Sequence, residues 1–265
     1  MHTLATPLRK GQFNWLGFWT LYRKEVWRFM KVYNQTLLAP MVTSLLFLAI
    51  FSLAVGRRVE TVQTVPFSEF IAAGLIMMTI VQNAFANSSS SLIMGKVLGT
   101  VIDFIMPPIS AGEMTLAMAL GGVTRGFLVG IIVTLSIAIF VPLSVHSLPL
   151  AFLFILLASL MMALLGLVAG IFSESFDQMA AITSYVITPL AFLSGTFYSV
   201  QHLPAFWQMI NHGNPFFYMI DGFRYAMTGY SDTSVMLGIA VLTGTNIVLY
   251  LTAWLLLRSG YRIKT

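Results

Sequence analysis

Long apolar runs separated by short polar clusters organise this chain from end to end. No Asp, Glu, Lys or Arg occurs from Asn34 to Gly56, from Phe70 to Gly95, from Gly126 to Ser173, from Gln178 to Ile220 or from Thr233 to Leu257. A helix needs about 20 apolar residues to cross the hydrocarbon core of a bilayer. The run that begins at Gly126 is roughly twice that length and is interrupted by Pro142, His146 and Pro149, so it reads as two spans joined by a turn. The pattern predicts an all-α, polytopic membrane protein forming a single domain, with six spans at 36–55, 67–88, 115 to just before Pro142, 148–172, 179–192 and 234–257. Pro40 then falls in the first turn of span one, where a missing N–H costs little.

Residues 12–33 follow another rule. At helical spacing Trp15, Trp19, Tyr22, Val26, Phe29, Met30 and Tyr33 share one face, with Lys24, Arg28 and Lys31 opposite, the pattern of a helix lying in the headgroup plane. The polar run from Asn87 to Ser91 marks the end of span two, and residues 92–113 form the longest connection on the side of the termini. That connection carries Lys96, Asp103 and the Pro107-Pro108 break, and Val97, Val101, Phe104 and Ile105 predict a short helix along the membrane surface. Residues 194–232 are too polar and too rich in Pro, Gly and Asn to cross, yet hold Phe206, Trp207, Phe216, Phe217 and Tyr218. Such a segment is tolerated at membrane depth only against protein, so it is expected to turn back as a re-entrant outer hairpin. Asp221 and Arg224, one helical turn apart, would lock it as an i,i+3 ion pair. Glycines at 122, 126 and 130 and at 166 and 170 permit close helix approach, either within the chain or at a dimer face.

Composition agrees, because the 265 residues are 58% hydrophobic and 9% charged, against about a quarter charged in soluble domains. Arg9, Lys10, Arg23, Lys24, Arg28, Lys31, Lys96, Arg258, Arg262 and Lys264 fall on the side of the termini, and Arg57, Arg58 and Arg224 on the other, which places both termini in the cytosol. The net charge of +5 reports this topology and anionic headgroups; no basic run interleaved with aromatics suggests nucleic acid. The stretch from Gly11 to Tyr22 lacks a small-x-small cleavage site and reads as mature protein.

Candidate chemistry is sparse. Cysteine is absent, and His2, His146, His202 and His212 lack both i,i+4 pairing and neighbouring carboxylates, so no metal or haem site is expected. No Gly-x-Ser-x-Gly turn offers a nucleophile, so no catalytic residue is expected. An ion-coupled carrier needs titratable groups near the midplane. Arg125 alone lies deep in a predicted span, close enough to its cytosolic end to snorkel or to pair between helices, and the acids Glu69, Glu113, Glu174 and Asp177 fall at span ends. The phosphate loop Gly-x-x-x-x-Gly-Lys-[Ser/Thr] is missing too, since Gly95-Lys96 is followed by Val97. If ATP drives this protein, the nucleotide site is on another chain.

Phe192-Leu193-Ser194-Gly195-Thr196-Phe197-Tyr198, then Leu203-Pro204, Trp207, Asn214-Pro215 and Asp221-x-x-Arg224 resemble the signature region of ABC-2 type transporter permeases. The likeness extends through Lys24-Glu25, Ala39-Pro40, Gly74-Leu75 and Arg125-Gly126, and within the family the chain looks like the bacterial permeases of the YadH type. The resemblance implies a multi-pass half-transporter of the bacterial inner membrane, working as a homodimer with two separate nucleotide-binding ATPase subunits that hold ATP and Mg. It makes 12–33 the connecting helix and 92–113 the coupling loop. The candidate coupling residues are Lys24, Glu25, Val97, Val101, Asp103, Phe104, Pro107 and Pro108, and Gly195, Phe197, Tyr198, Pro204, Asn214, Pro215, Asp221 and Arg224 build the outer segment.

Two further readings stand beside an exporter of an amphipathic, lipid-linked or glycan-type cargo or drug. A self-sufficient carrier or channel predicts flux from this chain alone, and a membrane anchor for a redox complex predicts a Soret band.

Overall fold

The computed structural model describes residues 13–54, 56, 59–100 and 108–261. After the interfacial helix α1 (Trp15–Met30) come α2 (Asn34–Ala54), α3 (Phe67–Val97), α4 (Ala111–Ala138), α5 (Leu148–Phe172), α6 (Phe176–Leu193), two short helices α7 (Ala205–His212) and α8 (Pro215–Thr228), and α9 (Val235–Ser259). A two-residue β-hairpin, Thr61–Val62 against Val65–Pro66, turns the chain from α2 into α3. Helices α2, α3, α4, α5, α6 and α9 are long and apolar enough to cross a membrane.

α3 is the central post. Of its most apolar stretch 83% is buried, against 17% for α2, α6 and α9, which stand at the periphery. Both glycine stripes turn toward it. A Cβ on Gly166 would lie 2.5 Å from the carbonyl oxygen of Phe85, and one on Gly122 or Gly126 would lie 2.9 Å from that of Ala84 or 3.1 Å from that of Ile80. Missing side chains thus let α4 and α5 approach the α3 backbone, and this spacing serves packing within the chain.

Three boundaries differ from the sequence expectation. Span two does not end at Ser88, because α3 runs unbroken to Val97. Asn87, Ser88, Ser89 and Ser91 are buried within it, so the polar run is an internal contact surface. The connection to α4 is correspondingly shorter, and Val101, Asp103, Phe104 and Pro107 lie outside the described residues. Pro40 is not in a first turn, since α2 opens earlier with a π-helical turn at Asn34–Leu38. The N–H of Ala39 reaches back to Asn34, and the proline follows this widened turn. The same device recurs in α6, where the π-turn Thr183–Ile187 precedes Pro189.

α1 keeps most of its expected aromatic face outward and packs an adjoining face on the bundle. Phe18, Leu21, Glu25 and Phe29 are buried, with α1 packed on α4, while Trp15, Leu16, Trp19, Trp27, Met30 and Tyr33 are exposed. Arg28 does not join an outward cationic face, because buried polar groups on α3 compete with water for its guanidinium. α1, the start of α4 and the ends of α3, α5 and α9 share one end of the bundle, the proximal end; α7, α8 and the β-hairpin are at the distal end.

Candidate functional site

A polar layer sits between α1, α3 and α4. Glu25 is fully buried and accepts hydrogen bonds from the Ser91 hydroxyl at 2.7 Å and from Arg28 at 3.1 Å. Arg28 also donates to the Asn87 backbone carbonyl at 2.6 Å, to the Asn87 side-chain oxygen at 3.1 Å and to Ser90 at 3.0 Å. Two ionised groups are stable here because each is paired and hydrogen-bonded. Glu25, a candidate coupling residue, therefore has its carboxylate inside the bundle; Lys24, the neighbouring candidate, is exposed. Deeper in α4, about 21 Å along the axis at about 1.5 Å per residue, Arg125 pairs between helices, donating to Asn83 at 3.0 Å.

At the proximal end one carboxylate ties two helices together. Glu113 accepts from the backbone N–H groups of Ser110 and Asn14, each at 2.7 Å. Ser110 and Glu113 form a capping box at the start of α4, and the second oxygen reaches the start of α1. Asn14 adds a bond from its side-chain amide to the carbonyl of Pro108 at 3.0 Å and caps α1 through Gly17 at 2.9 Å. The end of the α3–α4 connection, including candidate Pro108, is thereby fastened to α1. Lys96 donates to the carbonyls of Ile171 and Ser173, where a cation suits the C-terminus of α5. Beside it Met94, Val97 and Leu98 are exposed, as are Phe172 and Phe176 on the neighbouring helices.

The distal segment is organised differently from the expectation. Asp221 and Arg224 form no ion pair; among the described residues the salt bridge found is Arg28–Glu25. Asp221 instead accepts from the backbone N–H of Asp232 at 2.7 Å and from the N–H and hydroxyl of Thr233 at 3.0 and 2.7 Å, closing the loop between α8 and α9. Burial raises its pKa, and the hydrogen bonds from Asp232 and Thr233 oppose that rise. Arg224, 1% exposed, donates to the Gly195 carbonyl at 2.6 Å and stacks 3.7 Å from the centre of the Phe70 ring. The i,i+3 spacing allowed a pair, but each charge found better-aligned backbone partners.

The other distal candidates are structural. Gly195 holds a positive φ of 76°, which glycine adopts without strain. Phe197 stacks on Phe51 at 4.3 Å between centroids, and the Tyr198 hydroxyl donates to Leu193 at 2.8 Å. Pro204 is the N-cap residue of α7. Asn214 caps α8 through Phe216 at 3.1 Å and donates to Ser194 at 2.9 Å, with Pro215 in the first turn. Asp232, expected from sequence only as a charge that keeps this segment from crossing, holds Ser199, the N–H of Val200 and Tyr230. Burial and that carboxylate push the Tyr230 phenol up to about 12.

From sequence Glu113 is only an acid at a span end, and Asn14 and Asn83 carry no expected role. The Ser-x-x-Glu spacing at Ser110 and Glu113 was a readable signal; nothing local marks Asn83, whose partner lies on another helix. Among the described residues no group of three His, Cys, Asp or Glu side chains gathers for a metal ion.

A family model for the ABC-2 type transporter matches residues 17–228. The inner membrane transport permease YadH of Escherichia coli (strain K12) is 36% identical over 251 residues, covering 95% of this chain and 98% of the relative. Nodulation protein J of Rhizobium leguminosarum bv. viciae is 27% identical over 256 residues, covering 96% of this chain and 97% of the relative. A match over most of the bundle and similarity along nearly the whole chain agree with the six long apolar helices: this multi-pass transport permease belongs to the ABC-2 type transporter family.

Proposed function

We propose that the chain is the membrane subunit of an ATP-driven exporter in the bacterial inner membrane, with its proximal end and both termini in the cytosol. Two copies form the pathway, two nucleotide-binding subunits hold ATP and Mg, and the cargo is an amphipathic, lipid-linked or glycan-type molecule or drug. The observation that carries this reading is an apolar patch at the proximal end. α3 is about 46 Å long at about 1.5 Å per residue, against a hydrocarbon core of about 30 Å, so its last turns project beyond the membrane. Large side chains there, Met94, Val97 and Leu98, call for a covering partner. The absent phosphate loop leaves ATP binding to that partner. The exposed flanks of α2, α6 and α9 accommodate lipid and the second copy.

Co-expression with the cognate ATPase, followed by affinity purification, tests the reading. A complex with two copies of each chain is expected, with no hydrolysis by the permease alone. Leu98→Asp should lose the ATPase while the chain still inserts; ATP hydrolysis by the purified permease would overturn the assignment.

A further inference from the structure

Two adjoining depressions of about 300 and 520 Å³ flank α3, one toward α2 and the other toward α6, and share Gln82 and Asn83 as a common wall. Together they make one groove along α3. Its polar lining is hydroxyl and amide, with Thr43, Ser44 and Thr79 on the α2 side and Ser90, Thr183 and Ser184 on the α6 side. None of the residues lining it is charged.

The charge lies one layer behind. Asn83, on the shared wall, accepts from the Arg125 guanidinium at 3.0 Å through its oxygen and donates to the Thr79 carbonyl at 3.0 Å through its nitrogen. An amide nitrogen carries two hydrogens, so one donor remains on a group polarised by an adjacent cation. Among the described residues Arg125 has no carboxylate in salt-bridge reach, and its Nε is buried without an acceptor. The side-chain nitrogen of Asn87, one turn along α3, is buried without an acceptor as well. Glu25 and Arg28 neutralise each other, so Arg125 leaves the layer with one positive charge. A cation at this depth in a span is costly unless a counter-charge reaches it, and the described residues supply none.

The geometry points to a headgroup site: the groove takes the polar head of an acyl-chain amphiphile that bears a phosphomonoester or carboxylate, with the anion facing Asn83 and Arg125. The hydroxyl walls bind the uncharged part of the head, and the tail stays in the lipid beside α2 and α6. This deepens the exporter reading and rests on it for the outward movement of such a cargo.

Equilibrium dialysis on the purified full chain in phosphatidylcholine nanodiscs tests the site, with radiolabelled dodecyl phosphate and dodecylphosphocholine as probes. The two share phosphate and tail and differ in net charge. Saturable binding of dodecyl phosphate is expected at about tenfold or more higher affinity than the zwitterion. Arg125→Gln should remove the preference, Arg125→Lys should keep it, and Ser184→Trp should block both probes by filling the groove. Equal binding of the two probes by the wild-type chain overturns the proposal without reference to any variant, as does an undiminished preference in folded Arg125→Gln. A second set of discs containing phosphatidylglycerol separates the sources of the anion. Preference retained there identifies a mobile cargo; preference abolished there identifies a resident membrane lipid and overturns the cargo site. Because dialysis needs no ATPase, a chain that binds dodecyl phosphate but recruits no nucleotide-binding subunit keeps the site and loses the exporter reading. One that assembles without charge preference does the reverse.

Discussion

Arg224 and Asp221 show how far a residue's spacing can mislead about its work. Each anchors a different piece of the distal end, Arg224 through Gly195 and Phe70 and Asp221 through Asp232 and Thr233. Exchanging the two residues would preserve an i,i+3 ion pair and lose every one of these contacts. The exchanged protein should therefore be less stable than either single variant in detergent thermal melts, because independent losses add; near-wild-type stability would show that the pair itself matters. Arg224→Lys should also fail to rescue, because a point ammonium can neither stack flat on Phe70 nor reproduce the guanidinium fork. Losing a buried partner of this sort costs about 1 to 3 kcal/mol. Lys96→Met should be milder, about 0.3 to 1 kcal/mol for a cation lost from a helix C-terminus, read from the same melts.

At the scale of elements, hydropathy made the six long helices legible, since span-length apolar runs have few alternatives in a bilayer. It misplaced the end of α3 for a physical reason. Hydropathy treats Asn87 and the serines that follow as water-seeking, whereas their partners are Glu25 and Arg28 on a helix sixty-odd residues upstream in the chain. The same missing information hides the bundle-facing side of α1, whose buried residues include the Glu25 carboxylate and whose Arg28 turns inward. The loop glycine Gly195 and the Asn214-Pro215 helix start were legible because their chemistry is local, while the anchors of Arg224 and Asp221 required the fold. The glycines separate two roles that composition cannot. Gly166→Leu drives a side chain into the Phe85 backbone of α3 and should abolish the folded species on size-exclusion chromatography. Gly244, with nothing within 4 Å of an added Cβ, should accept alanine and gain up to about 1 kcal/mol in helix propensity. Equal tolerance at the two sites would mean that α3 and α5 do not approach as described.

For the whole molecule, the testable consequence is sidedness. Six long helices return the chain to its starting side, and the joints between them divide cleanly. Glu174 follows α5 at the proximal end, whereas Gln201 and Ser231 flank α7 and α8 at the distal end, where Asp232 binds both neighbourhoods together through Ser199 and Tyr230. The chain contains no cysteine, so single cysteines can be placed without first removing native ones. Gln201 and Glu174 are exposed and Ser231 is partly so, which lets a charged, membrane-impermeant maleimide report position with little interference from burial. In intact spheroplasts Gln201→Cys and Ser231→Cys should label at once, and Glu174→Cys only after permeabilisation. The two distal positions test one structural claim jointly, because α7, α8 and their loops lie between them and neither helix is long enough to cross. Opposite accessibility of Gln201→Cys and Ser231→Cys would require a crossing between residues 201 and 231, and with it a different number of spans. Reversed labelling of all three would keep the bundle and invert it in the membrane, placing the Met94, Val97 and Leu98 patch away from any cytosolic ATPase.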